Sequence, residues 1–436
     1  MLETLRNAWK IEDIKKKLLF MAFIVLIYRL GNAVTVPYVD TAALQLHFQA
    51  LSGTVLGFMN TMSGSALERA SIFALSIQPY INASIIMQLL TIAIPALERL
   101  RKEGGEEGKK KIEKITRYST VGIAALTGYA YYTMISRGDP AQGGGSMLMD
   151  GAEGFLPALV IILTFMAGSA LLMWMGEQIT EFGIGNGISI ILFVSIVARF
   201  PIELWSMITG TINNPGNWWI YALMLLDALA IVILIVIVQN SERRIPVQYS
   251  KRVVGRKMYG GQSTHLPMKV NMSGVLPVIF AQSIASVPAT IAEFVPGWKD
   301  SWLMNNVFEM TSIPYMVLYF LLIVFFSYFY STVQFNPVEI ANNLKKNGGF
   351  IPGFRAGKPT SEFIQKVLTK ITLFGALYLA IIAITPIIVS AVSPVARESG
   401  IAMGGTSIII VVSVALETIK QLESQMLMRH YKGFLE

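Results

Sequence analysis

Trp218-Trp-Ile-Tyr-Ala-Leu-Met-Leu-Leu-Asp227-Ala-Leu-Ala-Ile-Val-Ile-Leu-Ile-Val-Ile-Val238 is twenty-one residues with one charge. A helix of about 20 apolar residues matches the hydrocarbon thickness of a bilayer, whereas a core helix of a soluble domain keeps one polar face. This stretch has no such face, so lipid is its solvent. Working outward, comparable stretches fall near 18–36, 71–94, 116–135, 155–175, 184–200, 272–292, 312–330, 371–390 and 403–419, which makes ten expected spans. Composition agrees: of 436 residues 53% are hydrophobic and 14% charged, against about 25% charged for ordinary soluble domains. The expected class is an all-α membrane protein.

The charges between the spans fix an expected orientation. With charges at span ends counted to the adjoining loop, 29 of the 35 Lys and Arg lie at the two termini and in alternate loops. The intervening five loops hold one each, and Arg29 lies in the first span. Positively charged segments stay on the cytoplasmic side, so both termini and the basic loops are expected there. The run after Lys15-Lys16-Lys17 is longer than a signal-peptide core and lacks a small-x-small cleavage site, and is read as a retained span.

Chemistry by side chains is sparse. There is no Cys, and the three His (His47, His265 and His430) are far apart, which disfavours metal and thiol chemistry. Gly353-Phe-Arg-Ala-Gly357-Lys358-Pro359 has the wrong glycine spacing for a phosphate loop, with Pro where a magnesium-binding hydroxyl belongs. No catalytic set, cofactor or nucleotide site is expected. A secondary solute transporter is the alternative reading, but coupled carriers keep ionisable groups inside spans. Here only Arg29, Asp227 and Glu417 are candidates.

Three segments exceed what simple connections need. The basic loops at about 239–271 and 331–370 are longer than the 12–15 residues beyond which loops usually carry function. Gly53 to Ala70, with Asn60, Gly64, Ser65, Glu68 and Arg69, is too short and polar to span and leads straight into a span. Non-helical backbone at membrane depth survives only inside protein or beside a water-filled cavity, so a re-entrant segment is expected. Gly138 to Gly154 reads as a flexible external linker.

Several motifs resemble those of bacterial SecY. Arg69 to Leu90 (RASIFALSIQPYINASIIMQLL) resembles that family's second transmembrane helix, and Gly176 to Ile191 (GEQITEFGIGNGISII) the turn between its fourth and fifth. Gln262 to Asn271 is similar to the lead into the seventh helix, Asn342 to Arg355 to the tip of the fifth cytoplasmic region, and Gly404 to Ser407 to the start of the tenth helix. The matches run in the family's order over nearly the whole chain. The resemblance implies two pseudo-symmetric five-helix halves, 1–217 and 218–436, around an hourglass pore. It implies a pore ring of Ile77, Ile81, Leu192, Ile279 and Ile410, and a plug at about 58–67 that includes Phe58, Asn60, Met62, Ser63, Gly64, Ser65 and Leu67. The lateral gate would include Asn82 and Val287. Arg355, with Arg243, Arg244, Arg252, Arg256 and Lys257, would meet a motor or ribosome. The implied partners are SecE, SecG, SecA, ribosomes, unfolded or signal-bearing polypeptides and the lipid bilayer, with nucleic acid met only through the ribosome. The implied location is the bacterial cytoplasmic membrane.

Overall fold

The structure is a computed structural model, and describes all residues except 1–5, 51–54, 139–144, 214, 250–251, 255–256, 260–262, 293–297, 299–300, 394–403 and 433–436. In chain order the first part contributes α1 Glu12–Gly31, α2 Thr41–Ala50, α3 Val55–Ser63, α4 Gln78–Ala93, α5 Pro95–Glu103, α6 Gly105–Arg137, α7 Phe155–Phe182 and α8 Gly187–Asn213. The second contributes α9 Trp218–Asn240, α10 Leu276–Ala285, α11 Val287–Ala292, α12 Trp302–Asn306, α13 Ile313–Gln334, α14 Pro337–Lys346, α15 Lys358–Val392 and α16 Gly404–Lys432.

Six helices are long and apolar enough to cross a bilayer, and the α4–α5 pair, bent by 103°, makes up to seven. The bend has a local cause. Ile94 is extended (φ −105°, ψ 112°) because Pro95 follows it and starts the next helix. The other three expected segments fall on α1, α6 and the α10–α11 pair, where apolar runs are shorter or interrupted by polar residues. Two expected helix bounds need correction. The second span was expected from residue 71, but helix begins only at Gln78, after a run of turns. The seventh was expected as one helix over 272–292, but starts at Leu276 and breaks at Ser286, two residues before Pro288.

The central apolar core draws on α1, α4, α7, α8, α9, α10, α13, α15 and α16. A satellite core packs α2, the turns after α3, and α6 against Met147 and Leu148. The described end of the expected external linker is therefore anchored: Met147 N–H donates to the Ile135 carbonyl at 2.9 Å, and Leu148 bridges Val39.

The two long basic loops are not independent of one another. The first forms strands β1 Glu242–Tyr249, β2 Arg252–Val254, β3 Lys257–Tyr259 and β4 Ser263–Lys269. The second adds β5 Gly349–Phe350 to the free edge of β1, giving the sheet order β4-β1-β5. Ile245, Val247 and Met268 point from one face of that sheet into a small core with Leu344, Ile351, Ile364 and Leu368. Alternation along β1 explains why: Ile245 and Val247 are buried while Arg244, Pro246 and Gln248 face out.

Gln248 and Phe350 are register partners across β1 and β5. In this Cys-free chain, Gln248→Cys with Phe350→Cys should form a disulfide on mild oxidation, because paired Cα atoms lie within reach of an S–S bond. Gln248→Cys with Phe354→Cys should not, and equal yields for both pairs would contradict the sheet.

Candidate pore, plug and gate

The segment leading into α4 is built from turns. Ser65, Ala70 and Ser76 all carry positive φ (67°, 44° and 53°), as does Gly64 at 68°. Left-handed backbone costs a non-Gly residue roughly 1–2 kcal/mol, so surrounding bonds must hold it. Asn60 supplies two of them, donating to the Glu68 carboxylate at 2.7 Å and accepting from the Glu68 N–H at 3.1 Å. The Ser63 hydroxyl donates to the Asn60 carbonyl at 2.8 Å and accepts from Leu67 N–H at 3.2 Å. Other elements supply the rest. Tyr131 of α6 donates to the Leu67 carbonyl. Val36 N–H donates to the Ala70 carbonyl at 2.8 Å, Ile72 N–H to the Val34 carbonyl at 3.0 Å, and Ser169 of α7 to the Ser76 carbonyl at 3.3 Å.

This segment docks on α1 and α8. The Tyr28 hydroxyl stands 2.6 Å from the Ser195 hydroxyl and 3.3 Å from the Ser63 carbonyl oxygen. Arg199, paired with Glu203 at 3.2 Å, reaches the Ser65 hydroxyl at 3.5 Å. A Cβ at Gly64 would lie 2.8 Å from the Ser195 carbonyl oxygen, so glycine is required there by contact as well as by φ. Of the residues expected in a plug, Asn60, Met62, Ser63, Ser65 and Leu67 are buried and Gly64 is partly so. Phe58 lies within α3, and its side chain lies outside the described ones.

Ile77, Ile81, Leu192, Ile279 and Ile410 are all buried in the central core, which also takes in Met62. Ile77 stands at the start of α4, and its carbonyl accepts from Ile81 N–H at 3.1 Å, so the two are one turn apart on one face. Leu192, Ile279 and Ile410 come from α8, α10 and α16. Asn82 is partly buried on α4, and Val287 is exposed at the start of α11. The direct polar contact between α4 and α10 is one that the motifs did not single out. Gln78 donates to the Ser283 hydroxyl at 3.1 Å. Its signal was positional: Gln78 adjoins Ile77, and Ser283 is one turn beyond Ile279.

At the basic end, Arg243, Arg244 and Arg355 are exposed. The Arg355 loop is shaped by Gly353 (φ 88°) and Gly357 (φ 110°). It is pinned by the Thr360 hydroxyl, which donates to the Arg355 carbonyl at 2.8 Å, and by Phe354 against Phe363 at 4.3 Å. Arg252 and Lys257 lie in the β2–β3 hairpin, their side chains outside the described ones, and Arg256 lies outside the described residues altogether. Among the described residues no group of three or more His, Cys, Asp or Glu could hold a metal ion.

A bundle of lipid-facing helices closed around an aliphatic core, with an irregular segment seated against it, defines a channel-type membrane protein. Three solved structures share the fold. A protein-conducting channel matches with TM-score 0.67 at 16% identity, covering 95% of this chain and 93% of that one. A SecY structure concerned with its plug domain gives 0.63 at 17%, covering 95% and 92%. Sec61 in the canine ribosome-channel complex gives 0.63 at 15%, covering 95% and 93%. The SecY family model matches residues 71–419. Protein translocase subunits SecY of Streptomyces scabiei and Streptomyces coelicolor are 44% and 45% identical, over 100% of each chain. That of Mycobacterium tuberculosis is 40% identical, again over 100% of each. The chain belongs to the SecY family.

Seating of the segment expected as a plug gives a direct test. Gly64→Ala adds left-handed strain of roughly 1–2 kcal/mol on top of the close contact with the Ser195 carbonyl. It should therefore raise the unseated population roughly 5- to 30-fold. Ion conductance of the resting protein in planar bilayers should rise accordingly, with a smaller rise for Tyr28→Phe. Unchanged conductance in Gly64→Ala would show that this seat is not part of the seal.

Proposed function

We propose that the chain is the channel-forming subunit of a bacterial protein translocase. It passes unfolded secretory polypeptides across the cytoplasmic membrane and releases membrane helices sideways between α4 and α10. The observation that carries this is the full-length likeness to translocase subunits at 40–45% identity. The geometry supports it: five aliphatic tips from four helices share one core with the segment seated by Tyr28 and Gly64. No such relative supports the solute-transporter reading.

In this reading the ring is the seal. Aliphatic tips offer water and ions no hydrogen bond, so a short constriction stays dry yet yields to a chain of any sequence. The plug, 58–67, covers the ring until a substrate displaces it. The seam holding Gln78, Asn82, Ser283 and Val287 is the lateral gate, and one neutral hydrogen bond across it, worth about 1 kcal/mol, keeps it closed without locking it. Residues 1–217 and 218–436 act as two pseudo-symmetric five-helix halves, each crossing five times, so that the two termini of the whole chain are both cytoplasmic.

The chain is not itself an enzyme. Energy comes from SecA or a translating ribosome docked on the shared sheet and its basic loops, through Arg355, Arg243, Arg244, Arg252, Arg256 and Lys257. SecE and SecG are the small membrane subunits of the assembly.

Changing Ile81, Ile279 and Ile410 together to Ser should wet the neck and make the resting channel conduct ions, while the same triple change to Leu should stay tight. Single-channel recording without substrate reads the difference. Equal conductance of the two triple mutants would return these residues to ordinary packing.

A further inference from the structure

Gln282 and Ser283 are neighbours on α10 and both are buried. Ser283 turns to α4, where its hydroxyl accepts from Gln78 at 3.1 Å. Gln282, about 100° away around the helix, turns to α13, where the Tyr315 hydroxyl faces it. Yet neither end of the Gln282 amide, nor that hydroxyl, closes a hydrogen bond of ordinary length and angle among the described residues. Three polar atoms therefore meet in the core without pairing.

A buried polar atom left unpaired bears its full desolvation cost, more than a bond usually contributes once made. Such an arrangement persists only when its surroundings hold it apart. Tyr315 is fixed: it is fully buried, and its N–H donates to the Ser312 hydroxyl at 3.2 Å. Its ring stacks 6.1 Å from that of Tyr319, whose hydroxyl stands 3.4 Å from the Thr406 hydroxyl of α16. α10, by contrast, is only ten residues long, with Gly274 at φ 64° before it and the break at Ser286 after it. It can shift as a short rod, and on its α4 side the Gln78–Ser283 bond sets where it rests. The contact that holds α10 to α4 is thus the one that keeps Gln282 short of Tyr315.

We propose that Gln282 is a gate-positioning residue: as α10 leaves α4, the Gln78–Ser283 bond parts and the Gln282 amide pairs with the Tyr315 hydroxyl. This rests on reading the α4–α10 seam as the lateral gate, and adds the contact that receives α10 on the open side. Opening then exchanges one neutral hydrogen bond for another, and the unpaired atoms of the closed state favour release. Neither bond involves the passing chain, so the balance is the same for any substrate.

The test uses the full Cys-free chain, purified with its accompanying subunits and placed in lipid nanodiscs. Nitroxide labels go on Ile86→Cys of α4 and Ile291→Cys of α11, two exposed positions. Pulsed dipolar distances, at rest and with a translocating chain trapped in the pore, read the closed and open populations. The trapped chain should add a longer distance. Gln282→Leu and Tyr315→Phe should each lower the open-to-closed ratio about fivefold or more. The two together should lower it no further than either alone, because each acts through the other. Gln78→Leu should move the ratio the opposite way. Gln282→Leu should also melt at a higher temperature at rest, since it removes two unpaired atoms, whereas a residue that merely held the fold would make it melt lower. An unchanged ratio in Gln282→Leu, additive effects of the two changes, or a lower melting temperature would overturn the proposal while leaving the gate in place. If the trapped chain adds no longer distance even without these changes, the lateral-gate reading falls and this contact falls with it.

Discussion

Inside a bilayer every backbone N–H and C=O must find a partner within the protein, because lipid offers none. Most of this chain meets that demand with helices. Residues 64–77 do not: short turns within the segment satisfy part of their backbone, and the rest is met from elsewhere, by the 34–36 strand-like turn, by Tyr131 of α6 and by Ser169 of α7. Gly168 lets α7 approach closely enough for this, since a Cβ there would fall 1.9 Å from the Ile72 carbonyl oxygen. The irregular segment can exist only because three elements are arranged to receive it.

That dependence gives the segment a graded attachment. Its base, from Leu67 to Ser76, is bonded into α6, α7 and the 34–36 turn. Its tip touches α1 and α8 through Tyr28, Ser195 and a long contact from Arg199. Individual neutral hydrogen bonds contribute about 1 kcal/mol net, so the tip can leave while the base stays. In the proposed function, a ring of aliphatic residues next to a releasable tip would be a barrier that responds to displacement rather than to a ligand.

Membrane class and most helix positions were legible because composition acts over twenty residues at a time. What escaped was set by single residues or by distant pairing. Turns over 71–77 override an apolar run that reads as helix, and three non-Gly residues between 65 and 76 adopt positive φ, which no composition signals. Pro95 and Pro288 did mark breaks, at Ile94 and Ser286, within or beside runs read as continuous. The sheet was missed in the reading of both loops, although β1 alternates at Ile245, Val247 and Tyr249. Its β5 partner, two residues in a loop a hundred residues away, had no local signal. The five residues that motif resemblance named for a ring, Ile77, Ile81, Leu192, Ile279 and Ile410, all lie in the central core, while the Gln78–Ser283 bond follows from helix register between α4 and α10.

Amide hydrogen exchange over residues 61–76 tests the central claim, that this non-helical backbone is satisfied by its neighbours and released only at its tip. In the resting protein the amides of Ser65 and Leu67, bonded to the tip acceptors Asn60 carbonyl and Ser63 hydroxyl, and those of Ser71 and Ile72, bonded to the Ala66 and Val34 carbonyls, should be strongly protected. With a translocating chain trapped in the pore, protection should fall at Ser65 and Leu67 and persist at Ser71 and Ile72. Rapid exchange throughout the segment at rest, or loss of protection at all four positions together, would contradict the account.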